Sequence, residues 1–241
     1  MIYHYLYLLK MRLDKYLLEL NPNLTRSKVQ DLIKRGLVKV NNSVVTKTGY
    51  EVSNLDLVEL LETSKYVSRA GFKLENAISI LSLDLANLTV LDVGSSTGGF
   101  TDCSLQHGAK LVYAYDVGTD QLDQSLRDNP KIELHEQTNI LKVTPPNVDL
   151  ILIDVSFTST KPILRHVTPH ANRLLVLIKP QFEVGQQYLK KGVVKDKKRV
   201  QTLLNEFEDL SKILGFKIIK IFSTNFPGKD GNLEYWLYLE K

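Results

Sequence analysis

Only one cysteine, Cys103, occurs in the sequence, so no disulfide can form within the chain. This suits a reducing compartment, and we expect a cytoplasmic protein. No apolar run approaches the roughly 20 residues that a membrane-spanning helix needs, so no membrane partner is expected. Neither sign of charge dominates, because the net charge is only +4. A nucleic-acid partner is compatible with that balance but is not indicated by it alone.

The length and composition suit one sizeable core with a small additional module. The chain has 241 residues, of which 43% are hydrophobic. It contains no internal repeats and no low-complexity tracts. Residues 1–10 are rich in Tyr and Leu, but they lack a basic start and charged residues follow at once. We therefore expect a leader there, disordered or upstream of a start at Met11, and not a targeting signal.

Residues 11–61 have the pattern of a small α+β module. Two short amphipathic helices are predicted, and Thr25 is a plausible N-cap of the second one. Gly36 is placed to end that helix. Strand-like runs then flank an Asn41-Asn42-Ser43 turn, which is typical of a hairpin. The predicted strands of the module are residues 37–40, 44–45 and 55–60.

Basic side chains outnumber acidic ones in this module. A charged helix face is usually only a solvated surface, and this interpretation stays open. The functional alternative is a phosphate-binding surface, because Lys and Arg gain affinity for nucleic acid by releasing counterions. The candidate RNA-binding residues are Arg12, Lys15, Arg26, Lys28, Lys34, Arg35 and Arg69.

Residues 62–69 are predicted to be a linker, and residues 70–241 a second domain. In this domain short apolar runs alternate with helical patterns, which is typical of a parallel sheet covered on both faces. The clearest strand-like runs are residues 90–93, 111–115, 150–153, 174–178, 217–222 and 235–239.

A glycine loop follows the first of these strands and precedes a helix, which is the context of a nucleotide-binding loop. Ser96 stands where the dinucleotide fingerprint has its second glycine. The spacing Asp-x-Gly-x-x-x-Gly instead resembles the first motif of class I methyltransferases that use S-adenosylmethionine (SAM). The candidate cofactor-binding residues here are Asp92, Gly94, Ser95, Ser96, Thr97, Gly98, Gly99 and Phe100.

The second half of the predicted cofactor site follows later strands. Asp116 ends a strand about 20 residues after the loop, where a carboxylate can bind both ribose hydroxyls of a nucleoside. A lone acid at a strand end is otherwise explained as a helix cap. Further candidates are Val117 beside it, Gln137 and Asn139 near an adenine, and Asp154 at the end of the fourth strand.

Charged residues stand at other strand ends, where the ligands of open α/β sheets bind. Lys179 follows a largely apolar run, and a buried lysine is costly unless it is paired. The structural alternative is a lysine that extends to solvent. Lys73 is predicted to open the helix before the first strand, and Glu234 to open the last strand.

These motifs together resemble the TlyA family, also called hemolysin A-like, which is related to the FtsJ-type ribose methyltransferases. The resemblance covers nearly the whole chain from Met11, and the N-terminal module resembles the RNA-binding domain first described in ribosomal protein S-four. One departure is Ala70-Gly71, where the family usually has two glycines, and the adenine-side segment is a loose match. The segments that carry the resemblance are residues 66–74, the glycine loop, Asp154, residues 178–183, residues 181–196 and residues 231–235.

The resemblance implies a class I methyltransferase fold: a mostly parallel seven-stranded sheet whose last strand is antiparallel. It implies SAM as cofactor and a ribose 2′-hydroxyl of ribosomal RNA, naked or in assembled subunits, as substrate. No metal is expected, and the oligomeric state stays open. The family's catalytic tetrad falls on Lys73, Asp154, Lys179 and Glu234.

The chemistry suits such a tetrad. In methyl transfer the 2′-oxygen attacks the methyl group in line, so alignment of the reactants contributes much of the acceleration. The hydroxyl must also lose its proton, which a neutral lysine can accept. Our hypothesis is that Lys179 is the base, Asp154 orients it, and Lys73 and Glu234 position the ribose.

Three alternatives stay open. The older family name points to a secreted cytolysin, although no membrane-inserting amphipathic stretch is evident. A non-catalytic RNA-binding protein could keep the fold. The enzyme could also act on transfer RNA or on a base. Base methylation often uses an Asn/Asp-Pro-Pro-Tyr/Phe motif after the fourth strand, whereas residues 154–157 read Asp-Val-Ser-Phe and lack both prolines.

Overall fold

The computed structural model describes residues 10–22, 24–61, 65–226, 228 and 231–241. The expectation of a leader therefore falls outside the described residues, except at Lys10. The chain divides into two compact units, the first ending at Ser68 and the second beginning at Arg69. Each unit is described by itself.

The first unit packs two helices against short strands. Its apolar stripes, with Leu13, Leu17, Val29 and Ile33, are buried in one cluster. Thr25 caps the second helix as predicted, because its Oγ1 accepts a hydrogen bond from the Lys28 amide at 3.2 Å. The elements are β1 (Met11–Arg12), α1 (Leu13–Leu20), α2 (Arg26–Lys34), β2 (Val38–Val40), β3 (Ser43–Val44), β4 (Glu51–Val52) and β5 (Val58–Leu60).

The strands of this unit differ partly from the prediction. Asn41 and Asn42 turn between β2 and β3 with φ of 49° and 66°, as a tight hairpin requires. The third strand is shorter than predicted and begins at Val58. The Asp56 carboxylate accepts hydrogen bonds from the Ser53 amide at 2.6 Å and hydroxyl at 2.9 Å, and this turn keeps residues 53–56 out of the strand.

The second unit alternates strands and helices. Its helices are α3 (Arg69–Leu81), α4 (Gly99–Gln106), α5 (Gln124–Arg127), α6 (Thr160–Val167), α7 (Pro180–Glu183) and α8 (Lys197–Ile213). Its strands are β6 (Thr89–Val93), β7 (Leu111–Tyr115), β8 (Ile132–His135), β9 (Leu150–Ile153), β10 (Arg173–Ile178), β11 (Leu189–Lys190), β12 (Val193–Val194), β13 (Lys217–Ser223) and β14 (Tyr235–Glu240).

Seven of these strands form one sheet in the order β13-β14-β10-β9-β6-β7-β8. The strands from β10 to β8 are parallel, whereas β14 is antiparallel to both β10 and β13. The predicted mostly parallel sheet with an antiparallel last strand is confirmed. All four residues of β9 are buried, because helices cover both faces of the sheet.

The strand order reverses at β6, since the chain continues to β7 on one side and later to β9 on the other. Such a reversal opens a crevice beyond the carboxyl ends of the strands, where ligands of open α/β sheets bind. The core below it contains fully buried Trp236 on β14 and Phe207 on α8. The loops after β6, β7, β9 and β10 therefore lie where a ligand is expected to bind.

Candidate active site

The loop after β6 depends on two glycines with left-handed backbone. Gly94 has φ of +86°, and a Cβ added there would lie 2.7 Å from the Asp154 carbonyl oxygen. Gly98 has φ of +89° and directly precedes α4. A side chain at either position would strain the backbone, and at Gly94 it would also push the loops after β6 and β9 apart. Gly94 thus lets two backbones approach closely at the crevice, whereas Gly98 leaves room for the Leu122 and Leu126 side chains.

Asp116, directly after β7, joins the glycine loop to its own loop. Its Oδ2 accepts a hydrogen bond from the Ser96 amide at 2.8 Å, and its Oδ1 accepts one from the Gly118 amide at 2.7 Å. The expected ribose-binding acid therefore lies against the glycine loop, as a nucleoside site requires. Val117 beside it is 71% exposed.

Asp92 and Phe100, which we expected to bind the cofactor, use their side chains within the protein. Asp92 is fully buried, and its Oδ2 accepts a hydrogen bond from the Thr101 hydroxyl at 2.7 Å, which ties β6 to α4. Burial raises the pKa of Asp92 to about 7. The ring of Phe100 is buried and stacks on Trp236, with centroids 5.6 Å apart. The Phe100 ring and the Asp92 carboxylate therefore contact mainly other residues of the protein.

Other polar atoms of the crevice fit a cofactor with hydrogen-bonding groups. The buried Ser95 hydroxyl, in the glycine loop itself, has no hydrogen-bond partner among the residues that the structure describes. A bound nucleoside could satisfy such a group, which otherwise carries a desolvation cost. On the predicted adenine side, Gln137 is exposed, and the Asn139 Oδ1 caps a short 3-10 helix by accepting from the Leu141 amide at 3.0 Å.

Lys179 lies at the carboxyl end of β10 and is 8% exposed. Its Nζ is 2.6 Å from Asp154 Oδ1 and donates a hydrogen bond to the Ser156 hydroxyl at 2.9 Å. Pro180 begins α7 immediately afterwards and fixes the direction of the chain. The paired burial of this lysine agrees with a functional interpretation and not with a side chain extended to solvent.

A second buried ion pair joins Lys73 and Glu234. Lys73 Nζ lies 2.6 Å from Glu234 Oε2, and Gln181 Nε2 donates to Glu234 Oε1 at 3.3 Å. A Cβ on Gly228 would lie 2.5 Å from Glu234 Oε1, so backbone covers this carboxylate. One expectation was wrong: Lys73 does not open its helix, because α3 begins four residues earlier at Arg69.

The sheet register brings the two pairs to the same edge. Ile178 of β10 pairs with Tyr235 of β14, so the residues that adjoin them, Lys179 and Glu234, lie at one end of neighbouring strands. Asp154 follows β9, the parallel neighbour of β10. All four residues expected from the resemblance therefore lie at the edge where the glycine loop also lies.

Sequence reasoning missed three side chains around these pairs. Ser156 and Gln181 contact the tetrad directly, and only their positions two residues after Asp154 and Lys179 could have suggested it. Phe157 has φ of 62°, is 91% exposed, and its ring centroid lies 5.0 Å from that of Phe182. A left-handed backbone is unusual for phenylalanine, and strain of this kind is often stored at functional sites.

The basic residues predicted to bind RNA fall into two groups in the first unit. Lys15, Arg26 and Lys34 are exposed. The others have partners within the unit: Arg12 donates to Asp14 at 2.9 and 2.8 Å, Lys28 donates to the Val67 carbonyl, and Arg35 lies 3.6 Å from Asp31. In the second unit, Arg69 is exposed at the start of α3.

The hydrogen bonds from Arg12 have a clear effect on Asp14. They lower the pKa of the Asp14 carboxyl to about 2, although the carboxylate itself is fully buried. Gln30 Nε2 adds a further hydrogen bond to Asp14 at 3.2 Å. This pair therefore contributes to the stability of the first unit, and Arg12 is only partly available to RNA.

Among the described residues, none of the helices combines the length and the hydrophobicity that a membrane span needs. No group of three or more His, Cys, Asp or Glu side chains in the described part of the chain is arranged to hold a metal ion.

The antiparallel β14, the glycine loop after β6 and the acid after β7 define a class I methyltransferase. The FtsJ-like methyltransferase family profile matches residues 66–241, and the S4 domain profile matches residues 11–58. The chain therefore belongs to the FtsJ-like methyltransferase family, with TlyA and hemolysin A proteins as its relatives. It is an enzyme whose cofactor is SAM.

The relatives match over nearly their full length. The chain is 39% identical over 236 residues to Hemolysin A of Brachyspira hyodysenteriae, covering 93% of this chain and 98% of that protein. It is 34% identical over 254 residues to the 23S rRNA (cytidine-2'-O)-methyltransferase TlyA of Campylobacter jejuni, covering 96% and 100%. A solved structure of a candidate hemolysin from Streptococcus thermophilus superposes with a TM-score of 0.75 at 33% identity, covering 96% and 88%. The predicted resemblance to the TlyA family is confirmed.

Proposed function

We propose that this chain is a cytoplasmic enzyme that methylates a ribose 2′-hydroxyl of ribosomal RNA, with SAM as methyl donor. One observation carries the proposal: buried Lys179 is held by Asp154 and Ser156 at the edge of the sheet where the glycine loop also lies. A base at that place can reach a hydroxyl brought to the crevice.

The residues of the chain divide the work between them. The bound SAM supplies an electrophilic methyl group. The glycine loop and Asp116 hold the nucleoside part, and the Ser95 hydroxyl is available for a further hydrogen bond. Lys179 first releases one proton of its ammonium to solvent, and the free amine then accepts the proton of the 2′-hydroxyl. Asp154, 2.6 Å away, orients this amine and stabilises the ammonium that forms.

The second pair serves to position the substrate. Lys73 and Glu234 fix each other at 2.6 Å and present a charged, hydrogen-bonding edge beside Lys179. A ribose offers hydroxyls that such groups can bind, so the 2′-oxygen is aligned for attack. The low exposure of Glu234 keeps water from competing for it.

Ribose is favoured over a base as the methylated group. The loop after β9 reads Asp154-Val155-Ser156-Phe157 and lacks the two prolines that base methyltransferases often place there. Phe157 instead offers an exposed ring on which the base of the target nucleotide can stack. The base would then be held while the ribose faces Lys179.

Two observations favour ribosomal RNA as the substrate. The Campylobacter relative is named for cytidine 2′-O-methylation of 23S rRNA. The S4 domain presents exposed Lys15, Arg26 and Lys34, which suit contacts to RNA phosphates. Assembled subunits and naked RNA both remain substrates to be compared.

Methyl transfer tests the proposal directly. Tritiated SAM is incubated with ribosomal subunits and naked ribosomal RNA from cells that lack the gene. We expect label in RNA, and nuclease digestion followed by mass spectrometry should yield a 2′-O-methylated nucleoside. The Lys179→Ala variant, which should still bind SAM, is the control. Label on a base, or no label in any RNA, would contradict the proposal.

The hemolysin name of the Brachyspira relative favours a cytolytic function as the second candidate. Cytolysis gives no reason for two buried ion pairs beside a glycine loop. Erythrocyte lysis by purified, SAM-free Lys179→Ala protein would nevertheless support it. If this protein causes no lysis and the wild type methylates RNA, the cytolytic candidate is rejected and the methyltransferase function is retained.

A further inference from the structure

A lysine-rich surface of the second unit has no part in the function described so far. Its members are exposed, and none forms an ion pair with any carboxylate in the described ranges. Asp196, the acid among them, caps α8 by accepting from the Lys198 and Arg199 amides. We call this surface the lysine patch; it consists of Lys190, Lys191, Lys195, Lys197 and Lys198.

Two lysines of the patch lie at the amino end of α8, where positive charge destabilises a helix. Lys197 and Lys198 occupy the first turn of α8, whose amino end already carries partial positive charge. Cations there cost stability, which the Asp196 carboxylate at the N-cap offsets in part and a bound anion would offset further. The patch therefore has the charge of an anion-binding surface.

A cavity of about 320 Å³ lies beside the patch, a size at the lower end of small-molecule pockets. Val194, Val200 and Leu204 contribute apolar walls, and Lys195 and Lys197 also line it. Its remaining lining includes Pro180 and Tyr235, the direct neighbours of Lys179 and Glu234 in the sequence. An apolar cavity with cationic rims suits a planar base attached to phosphates.

Asn232 fixes this surface relative to the tetrad. The Asn232 side chain is buried, donates to the Gly192 carbonyl at 2.8 Å and accepts from the Val194 amide at 3.0 Å. It thereby holds the β11–β12 hairpin, which carries Lys190 and Lys191 at its tip. Because Glu234 is only two residues further on, the hairpin and the tetrad share one rigid support.

We propose that the lysine patch and the cavity form a single-stranded RNA subsite of the methyltransferase unit. The lysines bind phosphates of nucleotides that flank the target, and the cavity takes one flanking base. Single-stranded RNA offers both groups at once, because its bases are unpaired and its backbone is charged. This inference rests on the proposed function, since it takes RNA as the substrate.

The phosphate contacts are tested with Lys195→Gln/Lys197→Gln. We expect the Kd for ribosomal subunits to rise about tenfold, with the Kd for SAM and kcat unchanged. The slope of log Kd against log salt should fall by about 1.4, at roughly 0.7 for each phosphate of a single strand. Lys110→Gln/Lys131→Gln is the matched control, because these exposed lysines precede β7 and β8 at the opposite end of the sheet.

The cavity is tested with Gln201→Trp, which places a large ring at its exposed rim. Asn205→Trp is the control, since Asn205 is exposed one turn further along α8 and does not line the cavity. We expect the Kd for subunits to rise about tenfold for Gln201→Trp alone. Melting temperatures check that all four variants fold.

Equal subunit affinity of the test variants and their controls would overturn the subsite. So would equal losses in all of them, since that would indicate general charge or folding effects. If the wild type binds subunits but transfers no methyl group, the proposed function is wrong. The subsite is then still tested by the comparison of subunit affinities between the test variants and their controls. Retention of RNA binding with loss of affinity for ribosomal proteins alone would assign the patch to a protein partner.

Discussion

Lys73 Nζ lies 2.6 Å from Glu234 Oε2, although 161 residues separate them in the sequence. The Lys73 side chain is 14% exposed and that of Glu234 is 3% exposed. In an ion pair with so little exposure each charge depends on the other, because water hydrates either ion poorly. The pair thus joins α3 to the start of β14, the first and last parts of the methyltransferase unit.

Removing one partner of this pair should therefore destabilise the fold more than removing both. We expect Lys73→Met to lower the free energy of unfolding by about 3 kcal/mol, because it leaves the Glu234 carboxylate buried and unpaired. Lys73→Met/Glu234→Gln should lose less than Lys73→Met alone, and so less than the sum of the two single variants. Urea unfolding of the four proteins measures this coupling. Additive losses would show that the ion pair contributes no coupling.

Lys179→Met tests the assignment of the base. The substitution keeps an unbranched chain of nearly the same length and removes the amine, so kcat should fall roughly 10²- to 10⁴-fold. The Kd for SAM, measured by calorimetry, should stay within a few fold. Lys131→Met, on an exposed residue at the far end of the sheet, is the control. Turnover near that of the wild type would reassign the base.

Asp92 should make stability depend on pH. Burial raises its pKa from 3.8 to about 7, so between these values the folded state binds a proton that the unfolded state has lost. The stability of the wild type therefore falls as the pH rises through this window. Relative to Asp92→Asn, which stays neutral, the free energy of unfolding should drop by about 3 kcal/mol between pH 5 and pH 8. Parallel pH profiles of the two proteins in urea unfolding would contradict this.

Arg12→Gln should weaken the first unit at neutral pH. The Asp14 pKa of about 2 lies below the 3.8 of a free carboxyl, so the pair stabilises the fold above about pH 4, and its contribution is lost as the pH falls through 2. We expect the free energy of unfolding of this unit to fall at pH 7, by less than the pKa difference implies, because Arg12 is half exposed and solvent screens the pair. Hydrogen exchange of the α1 amides measures this unit separately. Lys15→Gln is the control, and equal exchange in both variants would show that Arg12 has no structural part.

Much of the sheet could be predicted because its strands are short apolar runs with abrupt ends. Residues 111–115 and 150–153 match β7 and β9 throughout, since burial on both faces leaves no polar interruption inside a strand. Lys179 was recognisable for the same reason, as a charge directly after such a run. Charged residues directly after apolar strands are thus the site residues that are easiest to recognise in a sequence.

Contacts that depend on loop conformation could not be predicted. The left-handed backbone of Phe157 has no signal in its residue type, because phenylalanine rarely adopts it. The two-residue strands β1 and β4 are too short for any periodicity, and they are defined only by pairing with each other. The motif predicts Asp92 as a cofactor-binding residue, and only the structure reveals that its buried side chain also ties β6 to α4.

The position of β14 has a consequence for biosynthesis. It lies between β13 and β10 in the sheet, yet it follows all six other sheet strands in the sequence and so leaves the ribosome after them. Until it inserts, β10 exposes an unpaired edge and β13 has no partner strand in the sheet, and unpaired strands are prone to misassociation. Glu234, just ahead of β14, also arrives late, so the Lys73–Glu234 ion pair forms only when the sheet closes. Formation of this pair thereby marks the end of folding of the methyltransferase unit.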